Sequence, residues 1–183
     1  GMTAAHHLYS GNGGFGPKTD GTVEYTTKRA DARRPLLCPE PQGNIRFPSI
    51  GDVLRAGGYT TGHFGKWHLG RTPGRFPTDQ GFDEWFGYNC QSLAHNYYPE
   101  YLWHNTDTVF LHGNDNEGTL EFSHDIIHRE ALEFIEKNQD NTFFLFLPYT
   151  IPHAELLVPE DSLFKKYLGK FEETPYEGVD DGP

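Results

Sequence analysis

The sequence predicts an α/β fold with a mostly parallel sheet, because a helical segment followed by an apolar strand occurs twice and each strand leads into polar residues. Parallel strands end at the same edge of a sheet, so the polar residues that follow them are expected to lie close together. Open α/β sheets bind their ligands outside these carboxyl ends. A binding or catalytic site is therefore expected where the two units end.

The first helix-strand unit begins at Ser49, an N-cap residue with Asp52 three positions on as a weak capping box. Apolar residues at helical spacing follow, and Gly57-Gly58 should end the helix. Residues 59–64 are rich in β-branched and aromatic side chains, which predicts a strand that Gly65 ends. The motif GKWHLG, which begins at this glycine, is thus expected just past the strand.

The second unit begins with a helix opened by Ser123 or His124 and marked by apolar residues on one face. It leads into residues 142–147, an almost continuous apolar run that predicts a central strand covered on both faces. Pro148 cannot continue a hydrogen-bonded ladder and should end the strand. His153, which follows, is expected at the same edge of the sheet as GKWHLG.

The remaining segments have weaker patterns. Residues 1–48 are rich in Gly, Pro and charge and predict a long loop. Between the two units, which span 49–70 and 123–153, residues 71–122 are expected to form a loop insertion over the sheet edge. Residues 154–183 predict a loop or tail. One domain, or part of one, accounts for all 183 residues.

Composition narrows the classes of partner. Acidic residues outnumber basic ones 26 to 15, and no stripe of Lys and Arg would follow a phosphate backbone, so nucleic acid is not expected as a partner. Aromatic residues make up 15% of the chain, which is typical of a packed globular protein. No apolar run reaches membrane-spanning length. Cys38 and Cys90 could pair or stay as buried thiols, and two cysteines cannot form a Cys-based zinc site.

Lys66 and His68 are separated by one residue, so in an extended segment both side chains point the same way. A lysine cation beside an imidazole that can donate a proton suits an anionic oxyanion substrate. Gly65 and Gly70 flank the pair and would let the backbone approach a ligand closely. The alternative is a surface lysine followed by a histidine that merely stabilises a turn.

Three segments resemble the sulfatase family in the family's order. Residues 56–70, AGGYTTGHFGKWHLG, resemble its second signature. Residues 77–87, PTDQGFDEWFG, are similar to the segment that follows in arylsulfatases and N-acetylgalactosamine-6-sulfatase-like enzymes. Residues 143–153 resemble the family's strand that ends in an active-site histidine. The resemblance spans 49–176.

This resemblance implies a partial alkaline phosphatase-like α/β/α sandwich with long loop insertions, and places residues 1–183 in the N-terminal catalytic domain. It implies a sulfuric ester hydrolase whose substrate is a sulfated carbohydrate or an aryl sulfate. The family uses one divalent cation, usually calcium, and a formylglycine made from Cys or Ser. A periplasmic or secreted location is expected for the whole enzyme.

The resemblance also implies roles for individual residues. Lys66 would bind the sulfate and contact the nucleophile, and His68 would hold the formylglycine hydroxyl and help to eliminate sulfate. His153 would bind sulfate or protonate the leaving alcohol. A polar residue in the loop after Gly87 also reaches the sulfate in relatives, and that place could be filled by Gln91, Ser92 or His95.

The chain departs from the family in its nucleophile and metal ligands. No Cys-x-Pro-x-Arg or Ser-x-Pro-x-Arg motif is present, and the sequence that follows Cys38 puts proline in the wrong places and lacks the arginine. The family's paired Asp residues and later Asp-Asn are also missing, so no metal ligand is expected in this chain. We therefore expect an internal fragment of a longer enzyme that is inactive alone. Its exposed strand edges would favour a homo-oligomer.

Two other functions remain open. One is a phosphodiesterase or phosphonate hydrolase of the same superfamily, and the other is a non-catalytic protein that retains a sulfate or glycan site. The other histidines, including His124 and His128, are expected to be surface or capping residues, and residues 114–118 an ordinary turn. The aromatic side chains of residues 85–103 could stack on a sugar, although core packing is their more common use.

Overall fold

The computed structural model describes residues 48–70, 73–90, 93–152 and 158–172, which form α-helices and β-strands. The elements are, in chain order, α1 (Ile50–Ala56), β1 (Thr60–Lys66), β2 (Glu84–Tyr88), β3 (Tyr101–His104), β4 (Asp107–Phe110), α2 (Ser123–Lys137), β5 (Phe143–Phe146) and α3 (Ser162–Tyr167). The strands form one sheet in the order β4-β3-β2-β1-β5. β1 is parallel to both of its neighbours, which confirms the predicted α/β fold with a parallel centre.

The start of α1 is fixed by the capping box that the sequence predicts. The Ser49 hydroxyl accepts a hydrogen bond from the Asp52 amide at 3.0 Å, and the Asp52 carboxylate accepts one from the Ser49 amide at 2.9 Å. The helix ends at Gly57, and Gly58 follows with φ = +86°. This short helix therefore leads directly into β1.

The sheet order corrects the prediction for residues 142–147, because β1 is an interior strand between β2 and β5, whereas β5 lies at the end of the order. All five inner residues of β1 are buried, whereas β5 pairs only with β1 among the described strands. Phe146 of β5 is 44% exposed. The apolar run of β5 therefore occupies an edge of the described sheet, where a homo-oligomeric contact through that edge remains a prediction.

The second correction concerns residues 71–122. They contain three strands, and β2 pairs with β1 over five residues, so this segment is part of the sheet itself. A tight turn at Asn105, with φ = +53°, joins β3 to β4. The Asn105 side-chain oxygen accepts a hydrogen bond from the Trp85 amide, and its carbonyl oxygen accepts one from the Trp85 indole. These two bonds attach the hairpin to β2.

Two aromatic clusters cover the two faces of the sheet. On one face Phe64 and Phe86 pack with Phe134 of α2. The opposite face carries Trp85, which packs with Trp67 and Phe82, and partly buried residues surround them. Each face therefore has its own packed layer, as an α/β sandwich requires.

The described part of the chain has two further features outside the sheet. Helix α3 lies within the segment predicted as a loop or tail, and the Asp161 carboxylate accepts the amide of Phe164 at its first turn. No described helix is both long and apolar enough to cross a bilayer. Of the predicted loop 1–48, all but the last residue lies outside the described residues.

Candidate active site

The ends of three segments meet at the carboxyl end of the parallel strands, and this end of the sheet is the edge that carries the candidate site. The Lys66 amide donates to the carbonyl oxygen of Pro148 at 2.9 Å, and the next amide, that of Trp67, donates to the carbonyl oxygen of Tyr88 at 2.7 Å. Lys66 also lies opposite Tyr88 in the parallel register of β1 and β2. The backbone thus brings the end of β1 beside the segment that follows β5, five residues before His153.

β1 continues to Lys66, so Gly65 lies inside the strand instead of ending it. Gly65 has φ = +137°, and a β-carbon there would collide with the carbonyl oxygen of Pro148. Its partner Gly87 has φ = +149°, and a β-carbon there would collide with the carbonyl oxygen of Gly65. Both glycines are therefore required for close contact between backbone segments, whereas the sequence suggested close approach to a ligand.

Trp67 anchors the backbone between the two candidate residues. Its indole N–H donates to the carbonyl oxygen of Arg75 at 2.8 Å, and its ring packs edge-on against His63 and Phe82. The side chain is 6% exposed. Because this large residue is fixed by packing and by a hydrogen bond, the backbone that carries Lys66 and His68 is held in place.

Lys66 is half-buried, and burial lowers the pKa of its ammonium group below the ordinary 10.5. A partly desolvated cation attracts an anion more strongly, since fewer water molecules compete for its N–H donors. His68 is also half-buried, two residues further on. An oxyanion that reached this edge would find a partly desolvated cation with an imidazole close along the chain.

The loop after β2 holds His95 near the same edge. His95 closes a 3₁₀ turn (Leu93–His95) and is half-buried. The Tyr88 hydroxyl donates to the carbonyl oxygen of Asn96 at 3.0 Å, which ties the turn to β2. Two other sulfate candidates of this loop, Gln91 and Ser92, lie outside the described residues, as does His153.

The segment that leads to His153 packs on this loop. Ile151 contacts a cluster that contains Tyr97 and Phe122, and the Tyr97 hydroxyl donates to the carbonyl oxygen of Thr150 at 3.5 Å. These contacts position the chain just before His153 beside the loop after β2. That His153 itself reaches Lys66 remains a prediction.

Asn89 is a polar residue at this edge that the sequence reasoning missed. It is 5% exposed and follows directly after β2, and its Nδ2 has no hydrogen-bond partner among the described residues. A buried amide donor without a partner costs stability, so an acceptor at this place would be favourable. Its position immediately after a strand of the central sheet was the signal that could have identified it.

His63 is a second buried polar residue, and it lies in β1 among aromatic rings. Four rings surround it edge-on or nearly so, with centroids 5.2 to 6.2 Å away: Trp67, Phe82, Trp85 and Phe146. Within the part of the chain that the structure describes, neither ring nitrogen has a hydrogen-bond partner. Burial lowers the pKa of His63 to about 4, and an interaction with its own backbone opposes this only in part.

The pH dependence of folding should report this imidazole. Because His63 is neutral when folded and titrates at 6.5 when unfolded, the unfolded chain binds more protons between pH 6.5 and about 4. The free energy of unfolding should therefore decrease as the pH falls from 6.5 to about 4, and His63 should contribute about 3 kcal/mol at most to this decrease. Denaturant unfolding at pH 7 and pH 4 should show His63→Leu losing less stability than the parent protein.

A matched substitution separates this effect from the titration of carboxylates. Phe64 is a fully buried residue of the same strand that carries no titratable group, so Phe64→Leu should leave the pH dependence of unfolding as it is in the parent protein. Equal acid sensitivity of His63→Leu and Phe64→Leu would show that His63 does not titrate as its surroundings indicate.

The described residues do not fit a calcium ion. No group of three or more His, Cys, Asp or Glu side chains within them could hold a metal ion, and calcium needs six to eight oxygen ligands. The sequence has no motif for a formylglycine nucleophile. Cys90 is buried and disulfide-bonded, and Cys38 lies outside the described residues. Neither cofactor can therefore be placed among the described residues.

Two other groups of residues are structural. Most aromatic side chains between residues 85 and 103 are buried in the core, which confirms core packing as their use. The Asn114 amide donates to the carbonyl oxygens of Pro99 and Glu121, at 2.9 and 2.8 Å, so it stabilises a turn. Neither group forms an open surface for a ligand.

Comparison with known proteins identifies the relatives of this chain. The model of the Sulfatase family matches residues 12–179. An uncharacterized sulfatase of Schizosaccharomyces pombe is 31% identical over 147 residues, which cover 72% of this chain and 26% of that protein. N-acetylgalactosamine-6-sulfatase of Sus scrofa is 31% identical over 159 residues, covering 80% of this chain and 30% of that enzyme.

One solved structure extends the comparison to three dimensions. The crystal structure of Ps i-CgsB in complex with k-i-k-neocarrahexaose superposes with a TM-score of 0.51 at 25% identity, covering 67% of this chain and 31% of that one. The chain thus spans between a quarter and a third of the length of these relatives.

Proposed function

Since the chain belongs to the sulfatase family, we propose that it forms part of a sulfuric ester hydrolase that removes sulfate from a sugar or an aryl alcohol. The observation that carries this proposal is the place of GKWHLG in the structure. Its lysine is a partly desolvated cation at an edge where the ends of β1, β2 and the segment after β5 meet. This is where an α/β sheet binds its substrate.

Lys66 is proposed to bind the sulfate group. Its short ammonium group offers three N–H donors to sulfate oxygens, and its partial burial strengthens the attraction for an anion. When the S–O bond of the ester breaks, its electron pair and the negative charge move to the oxygen of the leaving alcohol. A fixed cation bound to the sulfate would lie close to this oxygen and would therefore stabilise the transition state more than the ground state.

His68 and His153 are proposed to act as proton carriers. His68 would hold the nucleophile's hydroxyl and assist the release of sulfate, and His153 would bind sulfate or protonate the leaving alcohol. Gln91, Ser92 or His95 would supply a further contact to the sulfate. Asn89 is an additional candidate, because no described residue accepts a hydrogen bond from its buried amide nitrogen.

A sulfated carbohydrate is the favoured substrate class. One relative is named for the 6-sulfate of N-acetylgalactosamine, and another was crystallised with a hexaose. Calcium, formylglycine and a periplasmic or secreted location are proposed for the whole enzyme on family grounds alone. The ligands of the calcium ion would be residues other than the described ones.

The test is a substrate panel with the full-length gene product. Initial rates should be measured with 4-nitrophenyl sulfate, 6-sulfated N-acetylgalactosamine and bis(4-nitrophenyl) phosphate, together with calorimetric titration by inorganic sulfate. Release of sulfate at rates well above those for the phosphate diester would support the proposal. A faster phosphate diester would indicate the phosphodiesterase alternative, and sulfate binding without turnover would indicate a non-catalytic protein.

A further inference from the structure

Two histidines lie one turn apart at the start of α2. His124 and His128 are four residues apart, which places them on the same face of the helix. Their rings are nearly parallel, with 13° between the planes and 6.2 Å between the centroids. Two imidazoles spaced in this way on a helix are the arrangement from which zinc sites such as HExxH are made.

Tyr149 contacts both histidines from the segment after β5. Its hydroxyl lies 3.0 Å from Nδ1 of His128, and its ring meets the ring of His124 edge-on with centroids 4.7 Å apart. If Nδ1–H of His128 donates to the phenol oxygen, Nε2 keeps its lone pair for a metal. Metal-binding histidines are commonly oriented by such a second hydrogen bond.

The sequence alone predicted surface histidines here, because the spacing by itself does not show that the rings are aligned.

We propose that His124 and His128 bind one divalent ion of the imidazole-preferring class, such as Ni²⁺, Cu²⁺ or Zn²⁺. Tyr149 orients His128, and water completes the coordination, because the described residues hold no cluster of three or more His, Cys, Asp or Glu ligands. Imidazole nitrogen suits these metals, whereas Ca²⁺ requires oxygen ligands. This site is separate from the calcium site expected for the whole enzyme and does not depend on sulfatase activity.

The affinities of different metal ions for this site should follow the preference of each ion for imidazole nitrogen. Cu²⁺ should bind more tightly than Ni²⁺ and Zn²⁺, in the Irving–Williams order, and Ca²⁺ should not compete at equal concentration. Binding should weaken as pH falls and the imidazoles become protonated. Losing Tyr149's hydroxyl should lower the affinity for Ni²⁺ about tenfold, which is the lower end of the effect of such supporting contacts.

The experiment is calorimetric titration of the full-length protein with Ni²⁺ and with Zn²⁺. The variants are His124→Ala, His128→Ala and Tyr149→Phe, with His112→Ala as a matched exposed histidine outside the pair. Either alanine substitution in the pair should abolish one site or weaken it at least tenfold, and His112→Ala should leave it unchanged. Far-UV circular dichroism should confirm that each variant is folded.

Three results would overturn the inference. One is the absence of metal binding in the parent protein. The second is equal affinity in the parent, His124→Ala and His128→Ala, which would place the metal on other histidines, such as the adjacent His6 and His7. The third is displacement of Ni²⁺ by an equal concentration of Ca²⁺, which would indicate an oxygen site.

Discussion

Replacing Lys66 with alanine should lower kcat/KM by about 100- to 1,000-fold for the sulfate-ester hydrolysis that we propose for the full-length protein. Alanine removes the lysine ammonium that GKWHLG would offer to the sulfate group. The parent lysine is half-buried, so bulk water in the alanine variant cannot fully replace the N–H donors that the ammonium group offers to sulfate. Most of the loss should appear in kcat, because a fixed cation stabilises the charge that develops during cleavage.

Kinetic measurement of matched variants checks this expectation. Lys137 is an exposed lysine on α2 whose ammonium lies 3.4 Å from a carboxylate oxygen of Glu84, and Lys137→Ala should change kcat/KM less than twofold. Lys66→Arg keeps the charge but changes the shape of the donor group, so it should restore part of the activity. A Lys66→Ala enzyme with kcat within tenfold of the parent would exclude a role for this cation in the reaction.

Local features of the fold were predictable because short-range contacts determine them. The capping box joins Ser49 to a residue three positions away, and Gly57 ends the helix through its own backbone. A window of a few residues contains all the information needed. The same holds for α2, because the helical spacing of its apolar residues predicts its apolar face from the sequence alone.

The position of each strand in the sheet was not predictable in this way. β1 has a polar and glycine-rich sequence, yet it lies inside the sheet between β2 and β5, where Gly62 and Gly65 give room to Phe134 and Pro148. The apolar sequence of β5 suggested a central strand, but burial depends on which strands pair, and pairing is a long-range property. The strands within residues 71–122 were missed for the same reason.

The candidate site was predictable to the extent that its residues lie in one contiguous motif. Lys66 and His68 could be chosen because GKWHLG places them at a strand end and matches a family pattern. Asn89 and His63 could not, since what marks them is burial without a hydrogen-bond partner among the described residues. Their neighbours come from several strands, and only a structure brings those neighbours together.

Gly87→Ala should prevent folding or lower the free energy of unfolding by about 4 kcal/mol or more. Gly87 has φ = +149°, where a side chain is strained in any surroundings, at a cost of about 1 to 3 kcal/mol. Its β-carbon would also meet the carbonyl oxygen of Gly65, a backbone atom that cannot rotate away. Relief of this contact would require β1 and β2 to separate where Lys66 is held.

Gly58→Ala separates the strain from the collision. Gly58 also has a positive φ, +86°, but nothing lies within 4 Å of its β-carbon position, so the substitution should cost only about 1 to 2 kcal/mol. Urea unfolding of both variants, followed by circular dichroism, gives the comparison. Similar losses in the two variants would mean that the backbones of Gly65 and Gly87 are not in close contact, and that the edge carrying Lys66 is built differently from the structure described above.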